Sequence, residues 1–355
     1  MRIRRAPVAV SAAALLAAVA VGATAAPGDV AVVSVSDSEA LGNQPAEASS
    51  VSADGRFVAF TSAAALTGVS TGGNVQLYVR DRVAATTVLA SGAGGAAANA
   101  PVDVQDVDNV QFAISGNGRY AVFASTATNL TTADTDANKD VFRKDLTSGT
   151  VTLVSVNSAG QKANGAGVFG DPDVSYDGRA VSFGSGAATN LFPNDGNNAS
   201  DIVVRNIAAG TTTLAAVNAA GVQANSTTER SAISADGHVV AFEAPTATSN
   251  LLPGDSPAGA NDVVVRNLAA ATTAGASDPT ANDGSGFPDI SGNGRYVVFE
   301  SGFRYDLVND TNAANDVYRR DTTTGRSPSF RRSTTARSPR SAAAPGRRSR
   351  PTAPG

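Results

Sequence analysis

The chain has 355 residues, 42% of them hydrophobic, and its 35 glycines with only 5% aromatic residues are typical of a turn-rich protein of small side chains. It has no cysteine, which excludes disulfide scaffolds, thiolate metal sites and cysteine nucleophiles. Three arginines lie before residue 26 and seven after residue 326, so the body holds 17 basic residues against all 31 acidic ones. This acidic body disfavours nucleic acid and anionic membranes as partners and is compatible with cations, basic proteins or neutral glycans.

Residues 1–25 have the layout of a secretory signal peptide. Three arginines precede an apolar run from Val8 to about Gly22, and Ala23-Thr24-Ala25 follows as a small-residue cleavage site. The run is short for a membrane span, which needs about 20 apolar residues, and an uncleaved anchor is the alternative. We therefore predict export, to the periplasm or out of the cell, with cleavage near Ala25.

Five copies of one turn motif divide residues 30–325. Each copy has Ser, then Asp-Gly or Asn-Gly, then Arg or His, between alternating apolar segments, which is the pattern of a tight β-hairpin. The glycine supplies the positive φ that such a turn needs. The five turns are Ser52–Arg56, Ser115–Arg119, Ser175–Arg179, Ser234–His238 and Ser291–Arg295, and their glycines are 57 to 63 residues apart.

The segments around each turn predict four antiparallel strands. In the copy Ala113–Val156, one strand ends at Ile114, and the others cover Tyr120–Phe123, Asp140–Asp145 and Thr152–Val156. A single sheet of this size cannot bury its faces alone, whereas adjacent copies can bury them against each other. We therefore predict an all-β chain, a β-propeller of four-stranded antiparallel blades.

The fifth copy stops matching after its third strand, at Asp321. Val32–Val35 resembles the fourth strand of the repeat and offers the missing one. We predict five blades closed by this N-terminal strand, which would hide two exposed sheet edges; a sixth blade or an open ring is the alternative. Residues 327–355 are rich in Arg, Ser and Pro and predict a disordered basic tail. We interpret this tail as a frameshifted or truncated end of the array, with polyanion binding as the alternative.

The sequence contains no residue set that identifies a reaction. Its only histidine, His238, stands where the other turns have arginine, so a hydrolase triad lacks its base. Neither a Gly-x-Ser-x-Gly elbow nor a phosphate-binding Gly-x-x-x-x-Gly-Lys loop occurs. A pair of carboxylates for glycoside chemistry stays open, because an acidic chain offers many.

The loops before the third strands carry oxygen side chains at alternating positions, as a Ca²⁺ site requires. They are not EF-hands, because neither the central glycine nor a closing glutamate is present. The alternative is that these side chains bond to their own backbone as turn formers. The predicted calcium ligands are Asp134, Asp136, Asn138 and Asp140; Asp195, Asn197 and Asp201; and Asp310, Asn312 and Asp316, and the fourth copy has Asp255 and Asp262.

The turns and third strands resemble the WD-like propeller repeats of the TolB type. Phe57–Phe60, Tyr296–Phe299, Asp140–Phe142 and Asp316–Tyr318 carry this resemblance. The longer loops look like those of bacterial exported repeat proteins of this group. The resemblance implies a propeller used for binding, and it does not extend to a role in the Tol envelope system.

We predict an exported, monomeric, single-domain propeller that is not an enzyme and is not inserted in a membrane after signal cleavage. It would act as a binding or scaffold module for a protein or glycan partner, with its acidic loops on one face and with calcium stiffening them. The alternatives are a propeller-borne hydrolase or lyase with acidic residues at the funnel, and a gene fragment without a function. An enzyme should show a few unrepeated carboxylates that converge, and a binding ring should show repeated equivalents.

Overall fold

The computed structural model divides the chain into two units, Met1–Val33 and Ser34–Gly355, and all named strands belong to the second. The predicted signal peptide at 1–25 and the predicted tail at 327–355 lie outside the described residues. None of the described residues belongs to a helix long and apolar enough to cross a membrane. The described residues are 30–102, 104–106, 109–165, 171–186, 188–244, 250–253, 261–279, 284–305 and 314–323.

The first half of the chain contains two four-stranded sheets and two short hairpins. The first sheet has β1 (Ala46–Val51), β2 (Phe57–Ser62), β3 (Gln76–Asp81) and β4 (Thr86–Leu89). The hairpins are β5 (Gly92–Ala93) with β6 (Ala96–Ala97), and β7 (Val104–Asp106) with β8 (Asn109–Val110). The second sheet has β9 (Phe112–Ile114), β10 (Tyr120–Ser125), β11 (Asp140–Asp145) and β12 (Val151–Leu153).

Three further sheets follow in the second half. The third has β13 (Asp173–Val174), β14 (Ala180–Gly184), β15 (Ile202–Asn206) and β16 (Thr211–Leu214). The fourth has β17 (Glu229–Ile233), β18 (Val239–Ala244), β19 (Asp262–Asn267) and β20 (Thr272–Gly275). The fifth has β21 (Ser285–Ile290), β22 (Tyr296–Ser301) and β23 (Asp316–Asp321). In all five sheets neighbouring strands are consecutive and antiparallel, so the predicted all-β propeller class is confirmed.

The predicted turns join the first two strands of every blade and also hold neighbouring blades together. Gly118 and Gly178 have φ angles of 71° and 73°. A Cβ on Gly118 would lie 2.0 Å from the Phe57 ring, and one on Gly178 would lie 2.1 Å from the Tyr120 ring. Each ring belongs to the preceding blade. The glycine therefore serves both the left-handed backbone and the packing of one blade on the next.

The core consists of the phenylalanine column and its apolar neighbours. Phe123 and Phe142 stack with ring centroids 5.7 Å apart inside the second blade. The five column members, Phe60, Phe123, Phe183, Phe242 and Phe299, are all at most 3% exposed. Burying aromatic side chains contributes a large share of a domain's hydrophobic stabilisation.

The predicted closure by Val32–Val35 is wrong for the part of this segment that lies in the second unit. Val35 forms an isolated bridge with Leu41 instead of a strand in the fifth sheet. Its carbonyl accepts a hydrogen bond from the Thr87 hydroxyl, on the last strand of the first blade. The described part of the fifth sheet contains three strands, so the count of five closed blades stays a prediction.

The reason for this error is visible in the later repeats. The strand β12 ends at Leu153, and Val156 already belongs to a connection in which it bridges Lys162. A third connection bridges Val217 with Gln223. We call these three segments, Val35–Leu41, Val156–Lys162 and Val217–Gln223, the linker hairpins. The Val-Ser-Val pattern, which was interpreted as a strand, therefore marks the start of a linker hairpin. Each linker hairpin packs on the blade that follows it.

Paired asparagines attach the connections to the following blade. The Asn164 backbone amide donates to Asn190 Oδ1 at 2.9 Å, and Asn190 Nδ2 donates to the Lys162 carbonyl at 2.9 Å. The Thr189 amide donates in turn to Asn164 Oδ1 at 2.8 Å. Equivalent pairs are Asn99 with Asn129 and Asn225 with Asn250. These repeated contacts fix each connection in place.

Candidate functional site

The predicted calcium loop of the second blade contains an ammonium group from the chain itself. Lys162 Nζ lies 3.0 Å from Asp134 Oδ1, 2.6 Å from Asp136 Oδ1 and 2.9 Å from Asp140 Oδ2. Asp134 and Asp140 are each 1% exposed. Asn138 lies beside them and donates its backbone amide to Asp136. The structure therefore brings these four predicted ligands together, around a lysine that the sequence analysis did not consider.

The charges in this cluster stabilise one another. Burial disfavours the Lys162 charge, but the three carboxylates outweigh it and raise the pKa of Lys162. Burial raises the pKa of Asp140 despite hydrogen bonds from Ser155 and Lys162. A hydrogen bond from Lys162 lowers the pKa of the more exposed Asp136. The ammonium thus serves as the counterion that buried carboxylates need.

The third blade repeats this arrangement, with a neutral amide in place of the lysine ammonium. Gln223, which occupies the position of Lys162 in its linker hairpin, donates from Nε2 to Asp195 Oδ1 and to Asp201 Oδ2, both at 2.9 Å. Asn197 Nδ2 donates to Asp201 Oδ2 at 3.1 Å. In the first blade Gln76 stands where Asp140 does and donates to the Ala98 carbonyl at 3.0 Å. In these three blades, the start of the third strand or the loop before it therefore bonds to the connection that leaves the blade.

Asp201 lacks one hydrogen bond that its equivalents have. Ser155 donates to Asp140 Oδ1 at 2.6 Å, and Ser277 donates to Asp262 Oδ1 at 2.7 Å. The corresponding residue in the third blade is Ala216, and the buried Asp201 Oδ1 has no partner. Burial raises the pKa of Asp201 to about 7, although Gln223 and Asn197 lower it.

The other predicted ligands belong to the fourth and fifth copies. Asp310 and Asn312 lie outside the described residues, as does Asp255 of the fourth copy, while Asp316 is the half-buried first residue of β23. The expected acidic surface is wrong for Asp134, Asp140 and Asp201, which are buried against the linker hairpins. Calcium binding stays a prediction, and in the second blade an ion would have to displace the Lys162 ammonium.

A different set of residues lies four positions before the serine of each turn, on the first strand of the blade or, at Gln111 and Asp171, just before it. We call this set the bulge row: Ala48, Gln111, Asp171, Arg230 and Phe287. Four of its five members have left-handed backbone, with φ of 45° at Ala48, 58° at Asp171, 46° at Arg230 and 53° at Phe287. Such angles are uncommon outside glycine and concentrate at functional sites. At Ala48, Arg230 and Phe287 the register of the first strand shifts against the second, as in a β-bulge.

The polar members of the bulge row contact their neighbours from blade to blade. Gln111 Nε2 donates to Asp171 Oδ1 at 3.1 Å, and the Asp171 amide donates back to Gln111 Oε1 at 3.2 Å. The Arg230 guanidinium stacks on the Phe287 ring, 4.7 Å from its centroid. Burial raises the pKa of Asp171 to about 6, while Arg230 lowers it and Glu229 raises it. Asp171 and Arg230 are therefore close enough to interact electrostatically.

The Glu243 carboxylate forms an ion pair with Arg230 of the bulge row and holds its side chain in place. It is 2% exposed, and its Oε2 lies 3.1 Å from Arg230 Nη1. Asn261 Nδ2 donates to Glu243 Oε1 at 2.5 Å. A Cβ on Gly286 would lie 2.7 Å from Glu243 Oε2, so a side chain there would require this carboxylate to move. The second strands of the other blades have Thr61, Ala124, Gly184 and Glu300 at this position, so the buried Glu243–Arg230 pair is specific to the fourth blade.

The bulge row was not predicted from the sequence. Aligned on the turn serine, the five repeats have Ala, Gln, Asp, Arg and Phe at this position, and the positions directly before and after it also vary. The alignment therefore gives no distinct signal, and left-handed backbone is not expected of alanine, arginine or phenylalanine.

No protein-family model matches the chain, and no curated protein matches it. Similar solved structures include TolB from Acinetobacter baumannii, with 15% identity, a TM-score of 0.44, and 79% of this chain and 52% of that chain covered. The chain thus spans about half the length of that protein. A putative TolB from Agrobacterium tumefaciens has 16% identity and a TM-score of 0.44, with 80% of each chain covered. An oligogalacturonate lyase in complex with manganese has 13% identity and a TM-score of 0.47, with 78% and 62% covered. Likeness at this level says nothing about binding or activity.

Proposed function

We propose that the chain is an exported β-propeller binding module of the TolB-like repeat group, that its partner is a glycan, and that it binds this glycan at the bulge row without catalysing a reaction. One observation supports this assignment most directly: the five equivalent positions, three of them at a register shift of the first strand, carry five different side chains. These are not the repeated equivalents expected of a binding ring. Only Asp171 among them carries a carboxyl group, however, so the row suits binding specificity on a shared scaffold better than the converging carboxylates expected of an enzyme.

The chemistry of the row suits a carbohydrate. Phe287 is 45% exposed and offers an aromatic face for the C–H side of a sugar ring. Beside the row, Glu229 supplies a carboxylate for hydroxyls with a side chain that is 45% exposed, and Arg230, which Glu243 holds in place, supplies a guanidinium. The signal-peptide layout of residues 1–25 supports export to the periplasm or out of the cell, where the chain can encounter glycans.

The proposal is tested by screening the chain on an array of neutral oligosaccharides and measuring the best binder by calorimetry. Phe287→Ala should weaken binding about tenfold or more, because it removes the exposed ring. Val317→Ala, which truncates a 54% exposed side chain on β23, should bind like the unaltered chain. Binding of no oligosaccharide, or equal binding by Phe287→Ala, would overturn the proposal, and binding only to a protein would favour the other partner class.

A hydrolase or lyase is the second candidate, because Asp171 has features of a catalytic acid. Its pKa is raised to about 6. The nearby Glu229 and Glu243 carboxylates form an unrepeated acidic group with it. Perturbed carboxyls in such a group are typical of active sites. Incubating the bound oligosaccharide with the chain and analysing the products separates the two: new, shorter products that Asp171→Asn abolishes would show an enzyme.

A further inference from the structure

A cavity lies where the first blade meets the connection to the second, and none of its lining residues belongs to the bulge row. Its volume is about 300 Å³, at the lower end of the range of ligand pockets. Val69, Val88, Leu89 and Ala96 form its apolar wall, and Lys144 and Thr67 contribute polar groups.

The cavity exists because this connection is smaller than the linker hairpins. The hairpin β5–β6 reads Gly-Ala-Gly-Gly-Ala-Ala and pairs Gly92 with Ala97, one residue fewer than between Val156 and Lys162. Its turn uses Gly94 and Gly95 at φ of 58° and 85°, as a two-residue hairpin loop requires. The linker hairpin after the second blade instead has Asn157 and Ser158 there, and Ser158 bonds to Thr212.

The polar end of the cavity has an incompletely bonded cation. Lys144 is 7% exposed, and its Nζ donates to the Gly92 carbonyl at 2.6 Å and to the Gly149 carbonyl at 2.8 Å. In the third blade, the equivalent Arg205 has a comparable pair of carbonyls and also donates to the Thr212 hydroxyl at 3.2 Å. Lys144 faces Val151 across the strands instead of a threonine.

Two groups that line the cavity, Lys144 and Thr67, have unused bonding capacity. An ammonium has three protons, and the carbonyls take two of those of Lys144. Within the described residues, no carboxylate forms an ion pair with Lys144, and burial lowers its pKa. The buried Thr67 hydroxyl oxygen also has no partner. A buried, unpaired charge is costly, and a bound anion would relieve this cost.

We propose that this cavity binds a small aliphatic carboxylate, with its head on Lys144 and Thr67 and its tail against Val69, Val88 and Leu89. A single ammonium matches the single charge of a carboxylate. The apolar wall matches an alkyl chain, and the open side of the cavity lets the chain end reach solvent. This site is independent of the glycan site.

The test is calorimetric titration of the chain with hexanoate, octanoate and decanoate, with octanol as the uncharged control. We expect octanoate to bind and octanol to bind at least tenfold more weakly. Lys144→Met should lose octanoate binding by tenfold or more. The matched variant Arg205→Met, which removes the same kind of contact one blade further on, should keep it.

A second variant covers the case in which Lys144→Met does not fold. Val88 is 39% exposed, so Val88→Glu leaves the core intact, places a negative charge on the wall, and should also abolish octanoate binding. Failure of all three carboxylates to bind at millimolar concentration would overturn the proposal. Equal octanoate binding by the unaltered chain and by Lys144→Met or Val88→Glu would do the same.

Discussion

At the scale of single residues, the copies of one repeat act as controls for each other. Asp140 and Asp262 receive a serine hydroxyl and Asp201 does not, because Ala216 replaces the serine. The loop of the third blade also differs, because Gln223 replaces Lys162 and the Thr228 hydroxyl accepts the Ile202 amide as Ser155 accepts the Val141 amide. Burial is the main cause of the raised pKa of Asp201, and the missing serine hydroxyl leaves its Oδ1 without a donor.

Ala216→Ser should restore this donor and stabilise the chain by about 1–2 kcal/mol at pH 8, where Asp201 is ionised. The gain should be smaller at pH 5, where the proton on Asp201 already reduces its need for a donor. Urea unfolding at both pH values measures it. A loss of stability at pH 8 would show that the hydroxyl does not reach Asp201 Oδ1.

Three carboxyls that folding removes from water, fully at Asp201 and partly at Asp171 and Asp173, give the folded chain a predictable dependence on pH. Burial raises the pKa of Asp171 and Asp173 to about 6 and of Asp201 to about 7. A raised carboxyl pKa means that the folded state holds the proton more tightly, so its contribution is full below about pH 4 and is lost as the pH rises through 6 and 7. Asp145, lowered to about 2 by Arg119, acts in the opposite sense, and only below pH 4.

We therefore expect the free energy of unfolding to fall between pH 5 and pH 8. Urea denaturation across this range measures the trend. Ala216→Ser serves as the control, because it should flatten the upper part of the curve. A stability that rises steadily toward pH 8 would contradict the assignment of these three carboxyls as removed from water and proton-binding.

At the scale of elements, the turns have two roles that glycine substitutions can separate. Gly178 and Gly149 have nearly equal φ angles, 73° and 75°. The Tyr120 ring lies against Gly178, whereas nothing lies within 4 Å of a Cβ on Gly149. Alanine therefore causes similar backbone strain at both positions, but only at Gly178 does its Cβ also clash with a ring.

Gly149→Ala should cost about 1–2 kcal/mol, the strain of a left-handed alanine. Gly178→Ala should cost distinctly more, because the Tyr120 ring must also move. Chemical denaturation of both variants gives the comparison. Equal losses would show that the turn glycine is required for the backbone alone.

The linker hairpin is the element that the sequence did not reveal. Lys162 should be needed for stability, since Lys162→Met leaves the buried Asp134 and Asp140 without a cation. We expect a loss of about 3–5 kcal/mol in the free energy of unfolding. Arg179→Met, at a side chain that is 70% exposed, should change stability by less than about 0.5 kcal/mol.

Local pattern predicted the strands and turns well because their causes are local. The third strand of the second blade has the predicted bounds, Asp140–Asp145, and the turn glycines have the predicted positive φ. The site was harder. The Asp134–Asp140 loop was found, but its partner Lys162 lies 22 residues beyond Asp140 and reaches the loop only through the fold of the linker hairpin.

Across the whole molecule, the repeated residues stabilise the fold, and the unrepeated residues are the ones that we propose bind ligands. The acidic loops, the paired asparagines and the turn glycines recur and join each blade to the next connection or blade. The bulge row and the cavity beside Lys144 do not recur, and they are the places where we propose ligands. A repeat protein gains its stability from the first set and its specificity from the second.

The acidic loop of the second blade is a structural contact built around the Lys162 ammonium. Calcium titration followed by heat denaturation, on the unaltered chain and on Lys162→Met, tests this role. We predict that millimolar calcium leaves the melting temperature of the unaltered chain unchanged and raises that of Lys162→Met, in which the ion can take the vacated position. A calcium-dependent rise in the unaltered chain would contradict this role and favour a calcium site.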